Sequence, residues 1–330
     1  MQKSSLSIVA TGKGLPNKCV SSEQIDEKLA VKSGLTERMS GLSQRYFLDK
    51  NESADNMQLQ AINMALQQAN LAITDIDCVI NASATMRQAI PFNAAHTLRL
   101  LDSPRAIAGF DVNMTCLSAL RALDLASLLL ARYKTILIVS CDVASVGLDW
   151  QDFHSSTIFG DGAAAMIVRS HYEDGSHSQL LASHFAVYPQ GYEYCTIPAG
   201  GYHYHPAYHA DYVKHAYFHM QGMQLYKLVA DTLPDFLQQT LSQADLTLND
   251  IDWVVPHQAS RGALNHMISR LNLDKNKVID IFSTHGNQVA VSIPTALHHL
   301  LQEYPVKKGD KVLLCGTSAG VSLGAMLWQI

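Results

Sequence analysis

The feature that most constrains this chain is a repeat. Residues 69–83 read ANLAITDIDCVINAS and residues 244–260 read ADLTLNDIDWVVPHQAS. Both run A-x-L, then D-I-D-x-V and a further apolar residue, at an offset of 175. The same offset carries TILIVSC at 135–141 onto DKVLLCG at 310–316, and FDVNMTCLSAL at 110–120 onto HGNQVAVSIPT at 285–295. Three segments in one register indicate a duplicated half-molecule, not a solenoid.

Each half shows the same grammar. Residues 55–70 have apolar residues at helical spacing, with Asp55 at the start, and the short apolar strand CVINAS follows. Residues 117–132 read as an Ala/Leu-rich helix and TILIVSC as the next strand. In the second half LYKLVADTLPDFLQQTLSQA is helical, broken or bent at Pro234. DWVVP is then a strand, IPTALHHLLQEY a helix and KVLLCG a strand. Strands without polar alternation, separated by helices, predict sheets covered on both faces. Two such halves face to face give a five-layered α/β/α/β/α block. The expected division is an N-terminal half over 1–170, an irregular connection over 171–219 and a C-terminal half over 220–330.

The connection is dense in Tyr, Gly, Pro and His. His203, His205, His209, His215 and His219 suggest a metal site, but no carboxylate or thiol cluster accompanies them at ligand spacing. The segment is read instead as a Tyr/His-rich surface or dimer-contact loop, and no metal is expected.

The 330 residues are 48% apolar, enough for a sizeable core, and the net charge is −5. No stretch is rich in Lys and Arg, which argues against a nucleic-acid partner. No apolar run is long enough to span a bilayer, and the N-terminal one is too short for a signal peptide. The six cysteines are scattered without a CxxC pair, the pattern of free thiols in a reducing cytoplasm.

Three residues follow predicted strands and carry possible chemistry. Cys116 stands between FDVN and a helix, where the helix dipole lowers a thiol's pKa. His257 follows Pro256 in WVVPHQAS, and Asn287 stands in HGNQVAVSIP, four residues before the position matching Cys116 in the repeat. Taken singly, each also fits a plainer role: a core thiol, a core histidine, a turn asparagine. Two related halves packed together would bring equivalent strand ends to one interface, where ligand sites are favoured. Asp161, between Gly160 and Gly162, reads as a turn residue.

At these residues the chain resembles β-ketoacyl-acyl-carrier-protein synthase III and the wider thiolase-fold condensing enzymes. The matching pieces are TC at 115–116, FGDGAAAMIV at 159–168, VVPHQAS at 254–260, HGNQVAVSIPTAL at 285–297 and GTSAGVSLG at 316–324. The resemblance implies a thiolase-like fold, a homodimer and a catalytic set of Cys116, His257 and Asn287. Cys116 would hold an acyl group as a thioester. Backbone N–H groups of Cys116 and Gly320 would form the oxyanion site. His257 and Asn287 would stabilise the enolate left when a malonyl extender loses CO₂. No metal or redox cofactor is required.

The chain also departs from the family pattern. In LTERMSGLSQRYF, Gly41 and Arg45 fit the family motif, while Leu35 and Met39 stand where an aromatic residue and an arginine hold coenzyme A. A second family arginine has no match in DFHSSTIFGDGA. The glycine run near the end reads Ser318-Ala319-Gly320. Ile90 stands where a bulky aromatic often limits the acyl pocket. These differences favour primers longer than acetyl, delivered on an acyl-carrier protein more than on coenzyme A. Arg261 and Arg270, with Lys275 and Lys277, form a candidate docking patch for that acidic carrier.

The rival reactions on this fold are a non-decarboxylating Claisen condensation and acyl transfer to an alcohol or amine. The first needs a base, and MRQAIPFNAAHTLRL, where relatives place a glutamate, has no carboxylate. A cysteine hydrolase lacks its CGSCW signature here and leaves the repeat unexplained. A non-catalytic partner subunit is at odds with retention of all three residues.

Overall fold

The computed structural model describes residues 6–170 and 178–330. Nine strands build two sheets: β1 (Ser7–Gly14), β2 (Cys78–Asn81), β3 (Ala108–Asp111), β4 (Thr135–Asp142), β5 (Gly162–Arg169), β6 (Gln179–Val187), β7 (Trp253–Pro256), β8 (Lys311–Ser318) and β9 (Ser322–Gln329). The first sheet has the order β1-β5-β4-β2-β3 and the second β6-β9-β8-β7. In the first sheet β4, β2 and β3 run parallel to one another while the β1-β5 and β5-β4 pairs are antiparallel; in the second, β7 and β8 are parallel and the β8-β9 and β9-β6 pairs are antiparallel. The second sheet keeps only a trace of a fifth strand, a single parallel bridge between Val254 and Val278.

Six helices matter for the site: α1 (Ala54–Ala69), α2 (Asn93–Leu100), α3 (Ser118–Leu129), α4 (Gly222–Ser242), α5 (Arg261–Arg270) and α6 (Ser292–Glu303). Strand periodicity sorts the side chains into layers. Ile136 and Ile138 of β4, with Val312 and Leu314 of β8, point into a central cluster shared with Leu120 and Leu123 of α3 and Leu297 and Leu300 of α6. The alternate residues Leu137 and Val139 pack outward on Ile62 and Ala65 of α1. Leu313 and Cys315 pack outward on Phe236 and Leu237 of α4. The result is α1, sheet, α3 with α6, sheet, α4: the five-layered arrangement expected from the repeat. Burial of each such aliphatic side chain stabilises the fold by about 1.5–3 kcal/mol.

Three details differ from the sequence expectation. The segment 171–219 is not irregular throughout, because β6 lies within it and pairs along its length with β9; residues 171–177 lie outside the described residues. The helix over Pro234 is continuous rather than broken. The repeat offset also drifts. It is 175 at β2 and β7, 174 at α3 and α6, and 176 at β4 and β8, so in the second half the first connection is one residue shorter and the next two residues longer. The position matching Cys116 is therefore Ala290, and Asn287 precedes it by three residues rather than four.

Candidate active site

The two central helices begin in the same way. Before α3, Thr115 has φ +46°, and before α6, Val289 has φ +53°. Left-handed backbone at a β-branched residue is costly and persists where surrounding structure enforces it. At the first elbow Asn113 accepts the Thr115 N–H (2.9 Å), and the Ser118 hydroxyl donates to the Thr115 carbonyl (2.7 Å) while accepting the Met114 N–H (2.9 Å). Cys116 follows the elbow in a short 3-10 turn and opens partly into a cavity of about 1400 Å³. That volume exceeds the usual range for a small-molecule site.

The thiol is not activated in the resting structure. Burial, with the negative charge of Asp142 behind it, pushes the Cys116 pKa up to about 12, while the N–H groups of Ala319 and of Cys116 itself pull the other way. The expected lowering by the helix dipole is outweighed by desolvation. The second amide facing the sulfur belongs to Ala319 and not, as expected, to Gly320. Gly320 has φ +76° and stays out of the cavity wall, which Ser318 and Ala319 form.

His257 and Asn287 line the same cavity and are both 6% exposed. The His257 N–H donates to the Cys315 carbonyl (2.8 Å). Its ring fits because residue 316 is glycine: a Cβ there would come within 2.6 Å of the His257 Cβ. Nδ1 lies 2.5 Å from the Ser292 hydroxyl, which also accepts the Gln258 N–H (3.3 Å). With the hydroxyl donating to Nδ1, the ring proton sits on Nε2. Burial lowers the His257 pKa to about 4, so a neutral imidazole occupies the site, and in that tautomer its Nε2–H is a donor. Asn287 is held by its Oδ1, which accepts the Val289 N–H (2.9 Å), and by its Nδ2, which donates to the Ala259 carbonyl (3.3 Å). One Nδ2 hydrogen remains for a ligand. Gly286 before it has φ +69°, and a Cβ there would sit 2.9 Å from the Ile158 carbonyl oxygen.

Asp142 was not apparent as a site residue from sequence. It ends β4 and accepts from the Ala84 and Thr85 N–H groups (2.8 and 2.7 Å), the Thr85 hydroxyl (3.0 Å) and the Ala290 N–H (2.9 Å). Burial outweighs these bonds and raises its pKa to about 6. Ser292 was missed too, although its repeat partner Ser118 holds the other elbow. One flank of the cavity is apolar, with Val143, Leu148, Phe159, Ile197 and Phe218. Another carries Asp55, which ion-pairs with Arg87 and is hydrogen-bonded to His96 Nε2.

The remaining expected residues lie elsewhere. Ile90 is 86% exposed and does not line its own chain's cavity, so it cannot end that chain's acyl pocket. Arg261 is not free for docking: it ion-pairs with Asp280 and lies over the Phe282 ring. Arg270 is exposed at the end of α5, while Lys277 donates to the Ile251 carbonyl. Leu35 and Met39 sit on a short helix outside the cavity wall. Arg45 is fully buried and donates to the Thr157 carbonyl and the Ser22 hydroxyl. Asp161 accepts from Leu48, from the Ser145 N–H and from the Ser145 hydroxyl, a structural role. His203, His209 and His215 are in ring contact with or around Tyr204.

Comparison with known proteins gives a consistent result. A family described as 3-oxoacyl-[acyl-carrier-protein] synthase III matches residues 110–189, and its C-terminal counterpart matches residues 241–330. The chain is 29% identical to beta-ketoacyl-[acyl-carrier-protein] synthase III of Natranaerobius thermophilus, over 98% of this chain and 99% of that protein. It is also 29% identical to the enzyme of that name from Wolbachia pipientis, over 97% and 98%. Among solved structures, 3-oxoacyl-[acyl-carrier-protein] synthase III of Aquifex aeolicus superposes with a TM-score of 0.87 at 27% identity, covering 98% of this chain and 100% of that one. OleA of Xanthomonas campestris shares the fold, with a TM-score of 0.87 at 20% identity over 100% and 98%. A chain that matches this family in both halves, along its length and on one fold, belongs to it: this is a ketosynthase III-type condensing enzyme, an acyltransferase of the thiolase-like fold.

Proposed function

We propose that Cys116 takes an acyl group from a thioester, and that His257 and Asn287 hold a malonyl-type extender while it condenses with that group. One observation carries the assignment: three residues from widely separated stretches line one cavity, two of them with an N–H donor left over. In loading, the Cys116 sulfur bonds to the acyl carbon, and the carrier thiol leaves with the proton. The carbonyl oxygen is received by the Cys116 and Ala319 amides. In condensation, the extender loses CO₂, and its thioester enolate is stabilised by His257 Nε2–H and Asn287 Nδ2–H. The enolate carbon then bonds to the acyl carbon, giving a β-ketoacyl thioester and returning the Cys116 thiolate, which takes up a proton. A donor is what an enolate needs, and the tautomer set by Ser292 supplies one. That favours condensation over hydrolysis, where a base at Nε2 is required.

Primers longer than acetyl fit the apolar flank of Val143, Leu148, Phe159, Ile197 and Phe218, rather than any role of Ile90. Each added methylene contributes about 0.8 kcal/mol, or roughly fourfold in kcat/KM. Delivery on an acyl-carrier protein is supported by Leu35 and Met39 lying outside the cavity wall and by exposed Arg270 on α5. A homodimer is supported by exposed Met86, Ile90 and Phe92 near edge strand β3. Six free thiols fit a cytoplasmic setting; among the described residues no helix is long and apolar enough to cross a membrane.

The test mixes the enzyme with acyl-carrier thioesters of increasing chain length, and separately with acetyl-coenzyme A. Intact-protein mass spectrometry follows the adduct, and product analysis with a malonyl carrier follows condensation. An adduct on Cys116, with a β-keto product and rising kcat/KM along the series, is expected. Acetyl-coenzyme A as the best primer overturns the primer assignment, and release of free acid without a carbon–carbon bond overturns condensation.

A further inference from the structure

The outer part of the cavity lies between α4 and α5, and a tyrosine and a histidine join those helices across it. Tyr226 of α4 and His266 of α5 both line the cavity; the Tyr226 hydroxyl is 2.6 Å from His266 Nδ1, and the ring centroids are 4.6 Å apart. Tyr226 is 46% exposed, which places its ring at the mouth. His266 Nε2 is buried and has no hydrogen-bond partner.

These contacts decide which way the shared hydrogen points. If the phenol donated to Nδ1, the ring proton would sit on Nε2 as an orphaned buried N–H, the rarer and costlier kind of unpaired group. If Nδ1–H donates to the phenol oxygen, Nε2 is a bare lone pair and the phenol hydrogen is free. The second arrangement leaves Tyr226 as a fixed donor facing the mouth. Around it the wall is apolar, with Leu225, Val229, Ala263 and Met267. The Ser260 oxygen there accepts the Ala263 N–H at the start of α5 and keeps its own hydrogen, and Arg261 is taken by Asp280.

We propose that the Tyr226 hydroxyl, set by His266, reads an acceptor oxygen on the outer half of the thioester's pantetheine arm, either the second amide carbonyl or the phosphate. This rests on the thioester-condensing reading above and assigns the mouth of that same site. Tyr226 is a substrate-binding residue, and His266 is a positioning residue acting through it.

The experiment measures loading of Cys116 in the full-length enzyme from one acyl group on three arms: N-acetylcysteamine, pantetheine and phosphopantetheine. In Tyr226→Phe, kcat/KM for the longer arms relative to N-acetylcysteamine is expected to fall about tenfold, through KM. A fall already present with pantetheine assigns the amide; a fall confined to phosphopantetheine assigns the phosphate. His266→Leu should reproduce the KM effect, and His266→Asn, which can keep a donor near the Nδ1 position, should restore most of it. An unchanged ratio, or an equal loss on all three arms, overturns the inference. Failure of the unaltered enzyme to load from any arm overturns the functional reading and this inference with it; normal loading with an unchanged ratio overturns this inference alone.

Discussion

The elbow before α3 and the elbow before α6 descend from one design and do opposite work. Each has a left-handed residue, then a small one, then a serine opening the helix: Thr115, Cys116, Ser118 in one half and Val289, Ala290, Ser292 in the other. In the first, the serine braces the elbow and the small residue is a thiol whose own N–H faces its sulfur. In the second, the serine reaches His257 instead, and the Ala290 N–H is taken by Asp142. The lesson concerns the amide more than the side chain. Two amides face the sulfur at one elbow, and the matching N–H at the other is already occupied by a carboxylate.

The comparison breaks most completely at the thiol. Cys116→Ala makes the two elbows chemically alike, and the acyl adduct and condensation should vanish while circular dichroism and melting stay close to those of the parent. An acylated Cys116→Ala protein in intact mass spectra would show that the nucleophile lies elsewhere.

Removal of a second-half donor should be nearly as severe for one step only. His257→Ala and Asn287→Ala are each expected to lower condensation about 10²–10³-fold, with loading of Cys116 at least partly retained. Equal and complete loss of both steps would mean that the halves do not divide the work.

The halves should also differ in how pH acts on stability. His257, with its pKa held near 4 by burial against about 6.5 when unfolded, binds its proton less well in the folded chain. Its contribution is absent above pH 6.5 and destabilises by about 3 kcal/mol as pH falls to 4. Asp142, raised to about 6 by burial, has the opposite sign: stability is lost as pH rises from about 4 to 6, again by about 3 kcal/mol. Denaturant melts of His257→Asn and Asp142→Asn against the parent across pH 4–7 should show difference curves of opposite slope. Parallel curves would refute the assigned environments.

The smallest expected effect is the most specific. Ser292→Ala should lower condensation about tenfold by releasing the His257 tautomer, with loading nearly unchanged. Ser118→Ala, at the equivalent position, should instead act on loading. Identical profiles for the two variants would contradict the division between the elbows.

The duplicated strands were legible because both faces of each are apolar and because D-I-D-x-V survives in both copies. Cys116, His257 and Asn287 were legible as candidates from their place after strands. What escaped depends on single-residue register and on distant partners. A one-residue drift in the repeat separates Ala290 from the expected match to Cys116, and one residue separates the Ala319 amide from that of Gly320. Arg261 looks available until Asp280, 19 residues on, is seen to hold it. Ile90 faces outward because the segment around it follows no helix or strand period that would fix its direction. Strand β6 was hidden by the His- and Tyr-rich stretch that follows it.

Val289 keeps a strained backbone where there is no nucleophile to orient. The same bend that presents an amide to the sulfur in the first half presents the Ala290 amide to Asp142 in the second. The chain thereby carries a second elbow of the same shape with no nucleophile in it. A laboratory lineage that put a thiol at 290 and freed its amide from residue 142 would begin with the most demanding part, the backbone, already built.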